Sequence, residues 1–377
     1  VTHTYYMQQA LTAARQSLYI TSPNPRVGCV IEYGGKIIAT GATQMAGGPH
    51  AEVMALAQAR ALGYVSLHQA TVYVTLEPCS HYGRTPPCVD ALIQAQPQCV
   101  VIAMLDPNPQ VAGQGVAKLR AAGIKVVVGI EMEQALAINV GFVARMVRGR
   151  PWLWLKTASS LDGRTALEDG QSKWITGPEA RHDGQHFRAR SCVVLTGIGT
   201  VLDDDPLLNV RDFSTARQPI RAVVDSQLRL SPQAKLMNGD PVWVFTTQSN
   251  PELAQQLADK NAQVIELPPD PSGRVSVIAL MQWLAQQQIN EVHVEAGATF
   301  NGALLQAGYV DALLSYIAPM LIGAGRPLMQ LPVLTQLNEA PRFEILHSKI
   351  IGKDVRLLMR HADHWQHLYT HIQQLQA

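Results

Sequence analysis

His50-Ala51-Glu52, Pro78-Cys79 and Cys88 are the residues best suited to chemistry in this sequence. One imidazole and two thiolates supply three ligands for zinc, and a site with three protein ligands keeps its fourth position for water. Glu52 follows His50 by two residues at the start of the same predicted helix, where its carboxylate can reach that water without being a ligand. The metal lowers the pKa of the water, and the carboxylate carries a proton from it to a leaving amine. Cys79 stands just past a strand end, and Cys88 follows Pro86-Pro87 at a helix start, where the helix dipole favours a thiolate. Two other arrangements use the same residues. One is a closed structural zinc site with His81 as the nearest fourth ligand, which leaves Glu52 without a role. The other is a metal-free core histidine with two buried cysteines.

Such a constellation needs a scaffold that brings strand ends against helix starts. Met7, Ala10, Leu11, Ala14 and Leu18 recur at helical spacing, and Thr21-Ser22-Pro23-Asn24-Pro25 stops that helix. Residues 27–33 and 36–40 read as strands joined by a Gly34-Gly35 hairpin. Pro49 opens a helix that runs to Ala61 and stops at Gly63. A strand at 71–76, a helix from about Pro87 to Ala95, and strands at 99–104 and 124–128 around a helix at 115–122 complete a mixed sheet with helices on both faces. Residues 131–147 read as one helix, so the first domain spans 1–147 and Arg148-Gly149-Arg150-Pro151 is the linker. The α/β pattern then restarts over 152–361, with strands at 152–157, 192–196, 221–224, 242–246 and 291–295 and helices at 179–189 and 251–259. The tail, 362–377, is a helical extension whose stripe Trp365, Leu368, Ile372 and Leu375 docks on the body or on a partner subunit. His364, His367 and His371 lie beside that stripe, with no cysteine or carboxylate to complete a metal set.

Composition narrows the class of partner. With 47% hydrophobic and 16% charged residues the chain is an ordered, core-forming protein. Lys+Arg total 30 against Asp+Glu 29, a formal charge of +1, so no global field draws nucleic acid or an anionic membrane. A phosphorylated small molecule held in a local basic pocket fits better. Five scattered cysteines are no secreted disulfide framework, and no stretch reaches the roughly 18 apolar residues of a membrane span. The expectation is a cytoplasmic protein.

The pairing of H-x-E with P-C-x-x-C is the signature of zinc nucleobase deaminases. Here eight residues, Ser80 to Pro87, separate the two cysteines instead of two. With that insertion, Thr75-Leu76-Glu77-Pro78-Cys79-Ser80-His81-Tyr82-Gly83-Arg84-Thr85-Pro86-Pro87-Cys88 closely resembles the deaminase half of bifunctional riboflavin-biosynthesis enzymes. Pro23-Asn24-Pro25-Arg26-Val27-Gly28-Cys29-Val30 and Asp106-Pro107-Asn108-Pro109 resemble the same family, and the likeness runs from about Tyr5 to Arg360. It implies a cytidine-deaminase-like first domain. The implied substrate is a diaminopyrimidinone carrying a phosphoribosylamino group, which is hydrolysed at the ring carbon bearing the 2-amino group with release of ammonia. The resemblance places Asn24 against the ring or ribose, and His81 and Arg84 are candidates for phosphate or substrate contacts in the same loop. Cys29, Cys99 and Cys192 sit in apolar strands and read as core.

The second half shows less by itself. Gly197-Ile198-Gly199 follows a strand, but Leu202 stands where the dinucleotide fingerprint wants Gly or Ala. A second strand-to-helix turn, Val294 to Gly302, offers free N–H groups suited to a phosphate. Lys156 to Arg164, Ser172 to Thr176, Asp203 to Arg211 and Glu295 to Ala303 resemble the reductase half of the same enzymes. That resemblance implies a dihydrofolate-reductase-like α/β domain using NADPH to reduce the ribosyl group to ribityl. Carried over by motif, Ala158, Trp174, Thr200, Asp204, Ser226 and the run Gly297, Ala298, Thr299, Phe300, Asn301, Gly302 and Ala303 line the cofactor. Ser172, Arg188, Leu208, Arg211 and Glu295 face the substrate, with Lys156 polarising the hydride site. Arg188 and Arg211 suit a phosphate because guanidinium binds its oxygens bidentately. Asp225-Ser226 at a strand end leaves NADH against NADPH open on physics alone. The rival function is a nucleoside or RNA deaminase with an unrelated ligand-binding second domain, which calls for a basic, aromatic-laced face. The ligand set alone does not separate zinc from iron or cobalt. A homo-oligomer is the expected assembly.

Overall fold

Burial of one stripe, Tyr6, Met7, Ala10, Leu11 and Ala14, sets the first helix, α1 (His3–Gln16). The structure, a computed structural model of the 377-residue chain, describes residues 2–82 and 86–376. It divides into two compact units, residues 1–148 with 366–377, and residues 149–365.

In the first unit α1 is followed by β1 (Gly28–Tyr33), β2 (Lys36–Ala42), α2 (Ala51–Ala61), β3 (Thr71–Val74), α3 (Cys88–Ala95), β4 (Cys99–Ile102), α4 (Gln114–Ala121), β5 (Lys125–Val128), α5 (Met132–Ile138) and α6 (Val140–Arg148). The sheet order is β2-β1-β3-β4-β5, with β1 antiparallel to both its neighbours and β3, β4 and β5 parallel. Two glycines let helices press directly on this sheet. A Cβ on Gly28 would lie 1.9 Å from the Ala10 carbonyl of α1, and one on Gly41 would lie 2.1 Å from the Ala51 carbonyl of α2. Gly41 pairs with Cys29, the neighbour of Gly28, so the two glycines point to opposite faces. The helices α1 and α2 therefore cover opposite sides of the sheet.

The helix expected over 131–147 is broken at Asn139 between α5 and α6. Asn139 is buried, its Oδ1 accepts the Arg26 N–H at 2.7 Å, and its Nδ2 donates to the Arg26 carbonyl at 2.9 Å. A side-chain amide thus does for Arg26 what a neighbouring strand would do, and Arg26 Nη1 returns a bond to the Ile138 carbonyl. The break fixes the turn that carries Asn24.

The second unit contains β6 (Trp152–Ser160), β7 (Arg164–Ala166), α7 (Pro178–Arg190), β8 (Val193–Gly197), α8 (Ile198–Asp204), β9 (Ile220–Val224), β10 (Val242–Thr246), α9 (Pro251–Ala258), β11 (Ala262–Glu266), α10 (Val277–Gln286), β12 (Glu291–Val294), α11 (Ala298–Gln306), β13 (Ala312–Ala318), β14 (Arg326–Pro327), β15 (Glu344–Ile351) and β16 (Asp354–Arg360). Its nine-stranded sheet runs β11-β10-β9-β8-β12-β6-β13-β16-β15, parallel from β11 to β13 and antiparallel at β16 and β15. The ribbon β7–β14 stands apart. Strand β8 and the first half of β6 are apolar runs because both their faces are covered, and β12, although it reads Glu-Val-His-Val, is buried along its whole length. Leu153, Leu155, Val193, Leu195, Val292 and Val294 pack with Leu280, Leu284 and Leu304 of α10 and α11. Asn250 and Ser276 cap α9 and α10 with side-chain oxygens. The last helix, α12 (Ala362–Gln376), buries Leu368 and Ile372 completely, and His364 Nδ1 lies 2.8 Å from Asp311 Oδ1. No helix among the described residues is long and apolar enough to cross a membrane.

Candidate metal centre and cofactor cleft

In the first unit three elements converge on one point. His50 is the residue that precedes α2, Cys79 follows the end of β3, and Cys88 is the first residue of α3. His50 Nδ1 lies 3.7 Å from Cys79 Sγ and 3.3 Å from Cys88 Sγ, and the three donor atoms all lie within 4.8 Å of one another. Tetrahedral zinc with ordinary bond lengths requires N···S separations of about 3.6 Å, so the donor set fits that ion. The exposed His81 does not join the group, so among the described residues the closed four-ligand arrangement has no fourth member. Burial, then the neighbouring Cys79 charge, pushes the Glu52 carboxyl up to about 7. A hydrogen bond from Cys88, helped by His50, lowers the Cys79 pKa, while the same bond and burial raise that of Cys88. Asn24 is half-buried in its turn with its N–H on the Thr21 carbonyl at 2.9 Å. Arg84 lies outside the described residues.

Sequence reasoning assigned no role to Glu77, two residues before Cys79. It is buried, and its carboxylate accepts four backbone N–H groups: Asp106 (3.2 Å), Gly113 (2.9 Å), Gly115 (2.9 Å) and Val116 (3.2 Å). It thereby neutralises the free donors at the start of α4 and ties the ligand loop to that helix. Lys118 of α4 adds a bond to the Ser80 carbonyl at 2.7 Å. A carboxylate inside the apolar run 71–78 was the available signal, because a buried acid needs partners.

In the second unit a cleft of 1420 Å³ opens along the carboxyl ends of β6, β12, β8 and β9, the edge of a parallel sheet where ligands bind. Lys156, Ala158, Ser172, Trp174, Arg188, Thr200, Asp204, Leu208, Arg211, Ser226, Glu295, Gly297, Ala298, Thr299, Phe300, Asn301 and Ala303 all line it. Gly302 is not among the lining residues. A Cβ there would lie 2.0 Å from the Gln330 carbonyl, so this glycine lets α11 seat against the 328–330 loop. At Gly199 and Gly297, by contrast, a Cβ would meet only open space, so both turns present bare backbone to the cleft. Asn301 pins the second turn, donating to the carbonyls of Ala296 (3.0 Å) and Leu328 (3.2 Å). Trp174 stands exposed at the mouth with Arg181 stacked 4.3 Å from its ring centre. A long cleft with backbone donors at its middle suits an extended dinucleotide.

One end of the cleft holds a charged cluster. Arg188 Nε and Nη2 grip Glu295 at 2.5 and 3.0 Å, Arg188 Nη1 bonds the Asn209 carbonyl at 2.9 Å, and Lys156 Nζ lies 3.8 Å from Glu295. Burial alone would raise the Glu295 pKa, but Arg188 and Lys156 hold it well below the carboxylate range. Burial lowers that of Lys156. Arg188 is thus largely committed to Glu295, whereas Arg211 has no ion pair among the described residues. Unnoticed in the sequence, the fully buried His293 lies with Nε2 3.1 Å from Glu295 Oε1.

Residues 1–104 match the family described as the cytidine and deoxycytidylate deaminase zinc-binding region, and residues 151–357 match the RibD C-terminal domain. The Escherichia coli riboflavin biosynthesis protein RibD is 47% identical, with 94% of this chain and 98% of the relative covered. The solved structure of Acinetobacter baumannii RibD superposes with a TM-score of 0.86 at 44% identity, covering 95% of this chain and 98% of that one. A Thermotoga maritima structure titled as a diaminohydroxyphosphoribosylaminopyrimidine deaminase/5-amino-6-(5-phosphoribosylamino)uracil reductase has a TM-score of 0.85 at 33% identity, with 95% and 98% covered. These matches leave no place for an unrelated second domain. With a zinc-type ligand set in one unit and a dinucleotide-sized cleft in the other, the chain belongs to the RibD family of bifunctional deaminase–reductases of riboflavin biosynthesis.

Proposed function

We propose that the first unit hydrolyses 2,5-diamino-6-(5-phosphoribosylamino)pyrimidin-4(3H)-one to the corresponding uracil and ammonia, and that the second reduces its ribosyl group to ribityl with NADPH. The observation that carries the first step is Glu52, a buried acid beside three metal donors and two residues from one of them. Zinc held by His50, Cys79 and Cys88 supplies the Lewis acidity that makes water nucleophilic near neutral pH. Glu52 takes the proton of the attacking water and delivers it to the departing amine. Asn24 holds the ring or ribose from its pinned turn.

In the second unit NADPH supplies hydride to the imine-like ribosyl carbon exposed when the aminoribose ring opens. Lys156 polarises that carbon, Glu295 holds Lys156 in place, and Arg188 holds Glu295. Arg211, which has no ion pair among the described residues, takes the substrate phosphate, beside Ser172 and Leu208. Ala158, Trp174, Thr200, Asp204, Ser226, the 297–301 turn and Ala303 form the cofactor's walls. We place the enzyme in the cytoplasm as a homo-oligomer acting on a small molecule without nucleic acid or membrane.

The test follows ammonia release and NADPH oxidation together on zinc-loaded protein. Ammonia without NADPH, and cofactor oxidation once it is added, is the expected order. Glu52→Gln retains one zinc per chain and loses about 10²–10⁴-fold in deamination. Undiminished ammonia release by that variant refutes the role given to Glu52.

A further inference from the structure

The cations along the cleft differ in what they face. Lys156, Lys173, Arg188, Lys235 and Arg326 each have a carboxylate within 4.0 Å. Arg229 and Arg274 line the cleft and have no such partner among the described residues. Their place is set by the sheet. Leu155, Val294, Leu195 and Ala222 stand in register across β6, β12, β8 and β9, so the residues after them open on one edge. Three strand spacings of about 4.8 Å put the β9 end roughly 14 Å from the Lys156 end. The bare turns at Gly199 and Gly297 lie between, an arrangement that would take a dinucleotide with its nicotinamide at β6, its pyrophosphate in the middle and its adenosine at β9.

Two loops meet at the β9 end. The Val275 N–H donates to Ser226 Oγ at 2.9 Å, joining the 270–275 loop to the 225–230 loop. Arg274 is the residue before that bond, and Arg229 is three residues beyond Ser226. Of the two carboxylates on these loops, Asp225 is turned inward, whereas Asp270 lines the cleft and spends Oδ1 on its own loop. Asp225 is fully buried and accepts the N–H groups of Arg229 (2.5 Å) and Leu230 (2.8 Å). Asp270 accepts those of Ser272 (2.8 Å) and Arg274 (3.0 Å). An acid at the end of such a strand, free to face the cleft, would take a ribose 2′-hydroxyl and favour a cofactor without phosphate, whereas arginine accommodates the phosphate. Here the strand-end acid, Asp225, is turned inward and the arginines are left outside.

We propose that Arg229 and Arg274, with the hydroxyl of Ser226, form the subsite that binds the 2′-phosphate of the nicotinamide dinucleotide and so select NADPH over NADH. Ser226 accepts from Val275 and keeps its own proton to donate. This subsite rests on the assignment of a nicotinamide dinucleotide to the cleft, and the test separates the two.

The zinc-loaded full chain and its Arg229→Gln, Arg274→Gln and double variants are titrated calorimetrically, without substrate, with NADP⁺, NAD⁺, 2′,5′-ADP and 5′-AMP. Both side chains are exposed, so the variants fold, and matching melting curves check that. Each single variant should bind NADP⁺ and 2′,5′-ADP about 10-fold more weakly, and the double variant about 100-fold, with NAD⁺ and 5′-AMP unchanged. The preference of the unsubstituted protein for NADP⁺ should also shrink with added salt. An NADP⁺ preference that survives in the double variant overturns the subsite and leaves NADPH as cofactor. Equal losses for NADP⁺ and NAD⁺ also overturn it, because the arginines would then hold a part both cofactors share. No preference in the unsubstituted protein overturns the choice of NADPH itself, and the subsite with it.

Discussion

Replacing Glu77 with Gln tests whether the metal loop is held from beneath. The carboxylate places Oε1 on the amides of Gly115 and Val116 and Oε2 on those of Asp106 and Gly113. Glutamine keeps one oxygen and turns an NH₂ toward the other pair, so two buried N–H groups face a donor. A hydrogen bond to a charged acceptor is worth roughly 1.5–3 kcal/mol, and a neutral amide is cheaper to bury than a carboxylate, so the net loss is about 3 kcal/mol. Residue-resolved hydrogen exchange on the zinc-loaded chain reads this locally, without assuming that two units unfold as one. The amides at the start of α4 should lose about 100-fold in protection. Zinc should also leave faster under a chelator, because Glu77 is two residues from Cys79. Wild-type protection at Gly113, Gly115 and Val116 would show that this carboxylate does not anchor the loop.

Gly302→Ala puts a methyl 2.0 Å from the Gln330 carbonyl, so it should lower the melting temperature of the second unit and weaken dinucleotide binding while leaving deamination intact; unchanged melting and binding would contradict the packing argument. The Glu295 carboxyl, held below its ordinary value of about 4.3 by Arg188 and Lys156, stabilises the second unit fully above that pH, and the contribution is lost as pH falls toward the depressed folded-state pKa. Glu295→Gln should therefore melt well below wild type at pH 7, with the gap narrowing below about pH 4; a gap constant from pH 7 to pH 3 would rule out that linkage.

Much of the deaminase centre was legible because its chemistry is local. His50 and Glu52 share one helix start, and the two cysteines close a single loop, so residue types and spacing offered a three-ligand site beside the closed and metal-free arrangements. The hairpin at Gly34-Gly35 was legible for the same reason, since both glycines take the positive φ its turn demands. Contacts made across long sequence distances were not. Nothing near residue 139 announces that its amide will pair with Arg26, and that pairing splits the helix. Arg188 read as a phosphate ligand by type, but 107 residues separate it from the Glu295 that engages most of its guanidinium. Strands β15 and β16 escaped notice because β15 is exposed along nearly its whole length and shows no alternation to read.

The sheet order also bears on how the second unit is made. Strand β12 lies at the centre, between β8 and β6, yet it is residues 291–294, translated after the chain of β8 to β11 is complete. Until it arrives, β8 presents an unpaired, apolar border, the kind that recruits other chains. Its fully buried Val292 and Val294 close that border last and from far along the sequence. High contact order of this kind slows folding, so the reductase unit should be the part of the nascent enzyme that waits longest, and aggregates first when β12 is weakened.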